Sequence, residues 1–160
     1  MHEIYAFQYI RDIPLLIPEN KNIIGLNDLL DFHFKSEIIE FKTKCIKCNK
    51  ISSHEKKIKI SHPPNILILS IQRFDANLNT KNNCLIKFEE LLDMSNYIDK
   101  DCSIDEESFY LLYGIVNHIG SLSQGHYYSF IKLFDKNIWY EYNDDKVIEI
   151  LKDLNVCPNT

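Results

Sequence analysis

The sequence lacks a long hydrophobic run and an excess of positive charge. Of its 160 residues, 18 are Lys or Arg and 23 are Asp or Glu, so the formal net charge is −5. Such a balance does not provide the basic surface that nucleic acids require. No apolar run reaches the length of a membrane span, and polar residues interrupt the apolar residues near the N-terminus, so we expect no signal peptide. We therefore expect neither a nucleic acid nor a membrane as partner.

The sequence also lacks the cysteine pattern of a secreted protein. Its five cysteines are an odd number without framework spacing. Secreted domains pair their cysteines, whereas reducing compartments leave thiols free. The composition therefore predicts an intracellular protein, cytoplasmic or nuclear, and 45% apolar residues in a chain of this length suit a single domain with a core.

Glycine is scarce, and two of the four glycines lie in one loop. Gly120 and Gly125 flank two serines and a glutamine, between apolar runs at 111–116 and 127–133. A third run, at 138–142, follows a short polar turn. Runs this rich in Tyr, Phe, Ile and Trp, separated by polar residues, predict three neighbouring strands of a sheet.

The predicted hairpin brings His126 close to Asn143. With a two-residue loop at 135–136 or 136–137, paired residue numbers sum to an odd value, so both residues share a face of the sheet. A three-residue loop would place Asp144 on that face instead. In either case an imidazole meets an amide or a carboxylate, which is the base and its orienting partner in a nucleophilic triad. The alternative is a structural histidine in a Tyr-rich strand.

Two ordered motifs carry a family resemblance. The first is H-x-G-x4-G-H-Y, which begins at His118, and the second is W-x-x-[FY]-[ND]-D-x-x-V, which begins at Trp139. Together they closely resemble the His box of the ubiquitin-specific proteases, the ubiquitin carboxyl-terminal hydrolases of peptidase family C19. The resemblance implies a β-rich α+β fold of the papain-like cysteine protease class, with an antiparallel palm sheet and part of a fingers subdomain. Residues 1–160 would form the second half of such a catalytic domain.

The resemblance also implies an activity and a set of site residues. The family's deubiquitinases are thiol proteases that hydrolyse the bond after the C-terminal glycine of ubiquitin, so ubiquitin or ubiquitinated proteins would be the partners. His126 would be the general base, and Asn143 or Asp144 would orient its ring. Four further residues would bind the substrate: Gly125, Tyr127, His118 and Phe74.

One pair of cysteines provides half of a metal site. Cys45 and Cys48 lie on a turn between β-like runs, where one tetrahedral zinc ion binds two such thiolates. From the residues alone, His54 and His62 are an alternative source of two further ligands, but their spacing matches no common zinc pattern. A redox pair would instead require a helix that begins at the cysteines. The resemblance places the pair in zinc-binding fingers whose other pair would precede residue 1, so we expect at most this half site and no other cofactor.

The sequence contains no recognisable nucleophile. The resembled family carries its cysteine in a Gly-Asn-Thr-Cys segment that opens a helix, where the helix dipole stabilises the thiolate. No such segment is present: Cys84 and Cys102 fall in predicted polar loops, and Cys157 precedes a proline. We therefore expect this chain to lack the thumb, to supply the His/Asn half of the triad and to be inactive alone. The alternatives are a catalytically inactive ubiquitin-binding module and an incomplete fragment.

Two further elements are predicted from the apolar pattern. An amphipathic helix follows Gly25, with Asn27 and Asp28 placed to cap free amides. The aliphatic run at 66–71 predicts a central strand that is buried on both faces. Arg73 follows this run and needs polar partners if it is buried, so we interpret it as structural. The apolar positions of the helix are Leu26, Leu29, Leu30 and Phe34 or His33.

Overall fold

Strands dominate the part of the chain that the structure describes. In this computed structural model, the described residues are 4–40, 44, 49–51, 53–75, 77, 80–101, 108–150 and 156–157. They form one helix, α1 (Leu26–Phe34), and fifteen short strands. The strands are β1 (Ile13–Leu16), β2 (Ile23–Gly25), β3 (Glu37–Glu40), β4 (Ser53–Lys56), β5 (Leu69–Gln72), β6 (Phe74–Asp75), β7 (Thr80–Lys81), β8 (Leu85–Lys87), β9 (Leu91–Asp93), β10 (Phe109–Leu111), β11 (Gly114–Gly120), β12 (Gly125–Leu133), β13 (Ile138–Asn143), β14 (Lys146–Ile150) and β15 (Val156–Cys157).

The helix begins and packs as the sequence predicts. Gly25 is its N-cap residue, and the backbone N–H of Gly25 donates to the Asp28 carboxylate at 3.2 Å. This contact satisfies an amide that precedes the first turn. Leu29 and Leu30 are fully buried. The helix prediction is confirmed, including the capping role of Asp28.

The larger core lies between α1, β1, β8 and the segment at 94–98. The Tyr97 hydroxyl donates to the Asp31 carboxylate at 2.7 Å, and its ring stacks on Phe34 with centroids 4.8 Å apart. Cys84 lies in the loop between β7 and β8, as predicted, but its side chain belongs to this core and is only 2% exposed. Polar neighbours in sequence concealed its inward orientation. The buried members are Ile13, Leu15, Ile24, Leu29, Leu30, Cys84, Ile86, Met94, Tyr97 and Ile98.

The aliphatic run before Arg73 is not a doubly buried central strand. Among the described strands, β5 pairs only with β1, in parallel register. Ile66 and Ile68 precede β5 and are 59% and 53% exposed. The prediction of a central strand is therefore wrong, because an aliphatic run favours a strand but its neighbours decide whether both faces are covered. Arg73 itself donates to the backbone carbonyls of Asn82 and Cys84, at 3.1 and 2.7 Å, which fits a structural role.

The strands from β11 to β14 form one antiparallel sheet in sequential order. The sequence predicts three of these strands, whereas β14 escapes prediction because it is short and follows two aspartates. Tyr128, Phe130 and Trp139 are buried on one face and form a second, smaller core. Glu90 ties this sheet to the preceding segment, because its carboxylate accepts from the Trp139 indole N–H at 3.0 Å and pairs with the Lys132 ammonium.

The connection between β12 and β13 sets the register of the site. Leu133 pairs with Ile138, so the loop has four residues and the predicted two-residue loop is wrong. Four residues preserve the parity of a two-residue loop, and Asn137 turns the chain with a positive φ of 53°. Ser129 pairs with Tyr142 in the same register. Asn143 therefore lies on the face of His126, as predicted.

Candidate active site

The central contact of the site joins the start of β12 to the last residue of β13. The Nε2 atom of His126 lies 2.7 Å from the Oδ1 atom of Asn143. An amide oxygen only accepts, so Nε2 carries the proton in this contact and Nδ1 keeps its lone pair. The His126 side chain is 43% exposed, which leaves its ring accessible to a reacting group. The arrangement is an oriented imidazole at the end of an internal strand of the sheet.

Asp144 lies beside this pair and not within it. Its carboxylate is 3.9 Å from the same Nε2 atom, and its side chain is 77% exposed. Asp144 has a φ of 53° in the two-residue turn that joins Asn143 to Lys146, a conformation that Asp and Asn tolerate. The amide is therefore the direct partner of the imidazole, and the carboxylate is a nearby negative charge.

The four predicted substrate-binding residues come together around the His118 ring. The ring centroid lies 5.3 Å from that of Phe74 and 4.7 Å from that of Tyr127. A Cβ atom on Gly125 would lie 1.9 Å from His118 Nε2, so only glycine fits beneath the ring. The cluster lies on the opposite face of the β11–β12 hairpin from His126, because His118 pairs with Tyr127 while Ile119 pairs with His126. Its contact with substrate stays a prediction.

Two contacts at the site were missed by sequence reasoning. The Lys81 ammonium donates to the backbone carbonyl of His118 at 2.7 Å and so joins β7 to β11. Burial lowers the pKa of His118, and the nearby charge of Lys81 lowers it further. Glu141 accepts from the Asn143 Nδ2 group at 3.3 Å. The alternation of side chains along β13, which puts residues 141 and 143 on one face, is the sequence signal for the second contact.

The family follows from comparison with known proteins. The family model described as ubiquitin carboxyl-terminal hydrolase matches residues 18–157. The chain belongs to this family. The strand-rich α+β fold of the papain-like class, predicted from the His box, is confirmed by solved members of the family.

Relatives within the hydrolase family are much longer than this chain. It is 31% identical over 156 residues to ubiquitin carboxyl-terminal hydrolase 8 of Saccharomyces cerevisiae, covering 89% of this chain and 32% of the relative. It is 32% identical over 139 residues to ubiquitin carboxyl-terminal hydrolase 16 of Arabidopsis thaliana, covering 84% of this chain and 13% of that protein. The chain thus spans a third or less of either relative.

Solved structures of hydrolase complexes share the fold. A SAGA DUB module of Ubp8, Sgf11, Sus1 and Sgf73 bound to monoubiquitin superposes with a TM-score of 0.72, at 33% identity over 87% of this chain and 31% of that chain. The same module bound to ubiquitin aldehyde gives a TM-score of 0.68, at 29% identity over 87% of this chain and 32% of that chain. The first of these modules is bound to monoubiquitin and the second to ubiquitin aldehyde.

The cysteines of this chain are only partly described. Cys45 and Cys48, the predicted zinc half site, lie outside the described residues, as does Cys102. Within the described ranges, no group of three or more His, Cys, Asp or Glu residues is arranged to hold a metal ion. Burial raises the pKa of the Cys84 thiol, which is the opposite of what a nucleophile requires.

The described residues contain little helical structure. The only helix among these residues, α1, has nine residues, so no described helix is long and apolar enough to cross a membrane.

Proposed function

We propose that this chain supplies the general base and its orienting residue to a deubiquitinase. The single observation that carries the proposal is the 2.7 Å contact between His126 Nε2 and Asn143 Oδ1, where β12 begins and β13 ends. Residues 1–160 would then be the fingers and palm part of a catalytic domain. The cysteine nucleophile would come from a segment that opens a helix and lies against the free Nδ1 edge of the imidazole.

The chemistry would proceed as acyl transfer to a thiol. The Nδ1 atom of His126 takes the thiol proton, and the thiolate attacks the carbonyl carbon of ubiquitin's terminal glycine. The tetrahedral intermediate collapses when the imidazolium returns the proton to the leaving amine, and water then hydrolyses the thioester. Asn143 holds the ring and the tautomer through both proton transfers. Because Asn143 is neutral, it would orient the ring without adding charge, whereas Asp144 would place a negative charge 3.9 Å from Nε2.

The substrate would be the C-terminal tail of ubiquitin. The SAGA DUB modules bound to monoubiquitin and to ubiquitin aldehyde, which share this fold, support ubiquitin as the ligand. The His118 cluster with Phe74, Gly125 and Tyr127 would border the path of the tail, a narrow channel that suits glycines because they carry no side chain. The net charge of −5 suits a tail that carries arginines. The cysteine pattern supports an intracellular setting, cytoplasmic or nuclear.

A graft tests the catalytic role. Residues 18–157 replace the corresponding segment of the yeast hydrolase 8 relative, which supplies its own remaining catalytic domain, and hydrolysis of a fluorogenic ubiquitin amide is measured. We expect His126→Ala to lower kcat/KM by about 10²- to 10⁴-fold, the usual contribution of a general base. We expect Asn143→Ala to lower it less, since Asp144 remains near the ring.

The control for the graft is a histidine outside the site. His62 is exposed and its ring contacts the Ser61 hydroxyl, so His62→Ala is expected to leave hydrolysis unchanged. A graft that binds ubiquitin and hydrolyses the amide equally well with and without the His126 imidazole would refute the proposal.

A further inference from the structure

Glu141 lies two residues before Asn143 on β13 and contacts its side-chain amide. The Nδ2 group of Asn143 donates to Glu141 Oε1 at 3.3 Å, while the Oδ1 atom of the same amide accepts from His126 Nε2 at 2.7 Å. The three side chains thus form a chain of hydrogen bonds along one face of the sheet. Glu141 is half-buried between its cross-strand partners Phe130 and Ile148.

The Glu141 carboxylate determines which group donates and which accepts in each of these hydrogen bonds. An ionised carboxylate only accepts hydrogen bonds, so it selects the Nδ2 end of the amide and leaves Oδ1 for the imidazole. If the amide turned over, its Nδ2 group would face Nε2, which would then have to accept. The proton would move to Nδ1, and the nitrogen that faces a nucleophile would no longer be a base. One carboxylate therefore selects the tautomer of a ring that it does not touch.

We propose that Glu141 is a positioning residue, which holds the Asn143 amide so that His126 keeps its proton on Nε2 and presents a free Nδ1. Its importance for hydrolysis rests on the function proposed above, whereas its effect on the tautomer does not. The Asp144 carboxylate lies 3.9 Å from Nε2, and Lys146 is the cross-strand partner of Asn143. Asp144 favours the same tautomer, so its contribution has to be removed in the test.

The test measures the tautomer of His126 in the intact chain. The 160-residue protein is labelled with ¹⁵N-histidine, and the ring nitrogens are assigned by the loss of signals in His126→Ala. All variants carry Asp144→Gly, because glycine tolerates the positive φ at this position and carries no carboxylate. In that background we expect the Nε2–H tautomer to dominate when Glu141 is present. An equal mixture, or a dominant Nδ1–H form, would overturn the inference without any further substitution.

Two substitutions at position 141 distinguish the effect of the hydrogen-bond acceptor from the effect of side-chain packing. Glu141→Val keeps a residue suited to a strand but removes the acceptor, and we expect the ratio of Nε2–H to Nδ1–H to fall about fivefold, as for the loss of one hydrogen bond. Glu141→Gln can still accept through its amide oxygen, so it is expected to retain most of the ratio. A ratio that is the same with Val and with Glu would also overturn the inference.

A matched control lies on the other face of the sheet. Glu149 contacts the Tyr140 hydroxyl at 3.5 Å, and we expect Glu149→Val to leave the His126 tautomer unchanged. The measurement needs no hydrolysis, so failure of the function and failure of the inference are distinguishable. The expected tautomer in a chain whose graft is inactive would support the positioning role and reject the deubiquitinase proposal. In an active graft, Glu141→Val should lower kcat more than it changes KM.

Discussion

At the residue scale, the ring of His118 occupies the space that a side chain at position 125 would need. Gly125→Ala would place a methyl group 1.9 Å from His118 Nε2, so the ring or the hairpin must shift. We expect a loss of about 1 to 3 kcal/mol in the free energy of unfolding, as for other overpacked sites. Urea denaturation measures this loss.

Two comparisons make the test of Gly125 specific. A Cβ atom on Gly114 would meet nothing within 4 Å, so Gly114→Ala is expected to cost much less. His118→Ala removes the ring, and in that background Gly125→Ala should be tolerated better than in the native chain. If the two substitutions at the hairpin are simply additive, the ring is not what requires glycine.

His118 also gives the stability a pH dependence. Burial and the charge of Lys81 lower its pKa from the ordinary value of 6.5, so the unfolded chain binds a proton that the folded chain resists. The stabilising difference is fully present above pH 6.5 and is lost as the pH falls from there toward the lower pKa of the folded state. We expect His118→Gln to flatten the fall in unfolding free energy between about pH 7.5 and 5.5. Parallel pH profiles for native chain and His118→Gln would contradict this.

At the element scale, Glu90 joins the β11–β14 sheet to the segment before β9. Its carboxylate serves the Trp139 indole and the Lys132 ammonium, and the Lys132 side chain is only 10% exposed. Glu90→Ala leaves both donors without this acceptor, and we expect a loss of about 1 to 3 kcal/mol in unfolding free energy, because Glu90 itself is partly solvated. Chemical denaturation tests it, with the exposed neighbour Glu89→Ala as control.

The same contacts predict an acid effect on this junction. The Lys132 and Trp139 hydrogen bonds lower the pKa of Glu90 from its ordinary value of 4.5. The stabilisation is therefore present above pH 4.5 and is lost as the pH falls toward the lower pKa of the folded state. Glu90→Ala should remove part of the acid sensitivity in that range, and an unchanged acid profile would show that the junction contributes little.

The spacing of apolar residues and the even number of residues in the hairpin loop account for the elements that the sequence predicts. The apolar spacing indicates α1, the aromatic runs indicate β12 and β13, and an even loop length is enough to place Asn143 with His126. The length of the loop is not predictable, because Asn137 adopts a positive φ that closes a four-residue turn. The partners of β5 are not predictable either, since an aliphatic run carries no information on what covers it. Glu141 was missed because its role depends on a neighbour's amide.

At the scale of the whole molecule, the chain offers an oriented imidazole and the His118 cluster, and its sequence contains no recognised nucleophile segment. We expect the isolated chain to bind labelled ubiquitin and to leave a fluorogenic ubiquitin amide intact. Tyr127 is 62% exposed beside His118, so Tyr127→Ala should weaken binding about 3- to 10-fold. Tyr113, at the other end of β11, is the matched control.

The form of the ubiquitin probe decides whether the binding is the proposed one. Because the tail would run past the His118 cluster, ubiquitin that lacks its terminal glycines should bind more weakly than the full-length protein, and Tyr127→Ala should affect the shortened form less. Equal binding of both forms would place the contact elsewhere on the surface. Hydrolysis by the isolated chain that disappears in His126→Ala would instead show that one of its own cysteines serves the imidazole, and the division of the triad between two segments would be wrong.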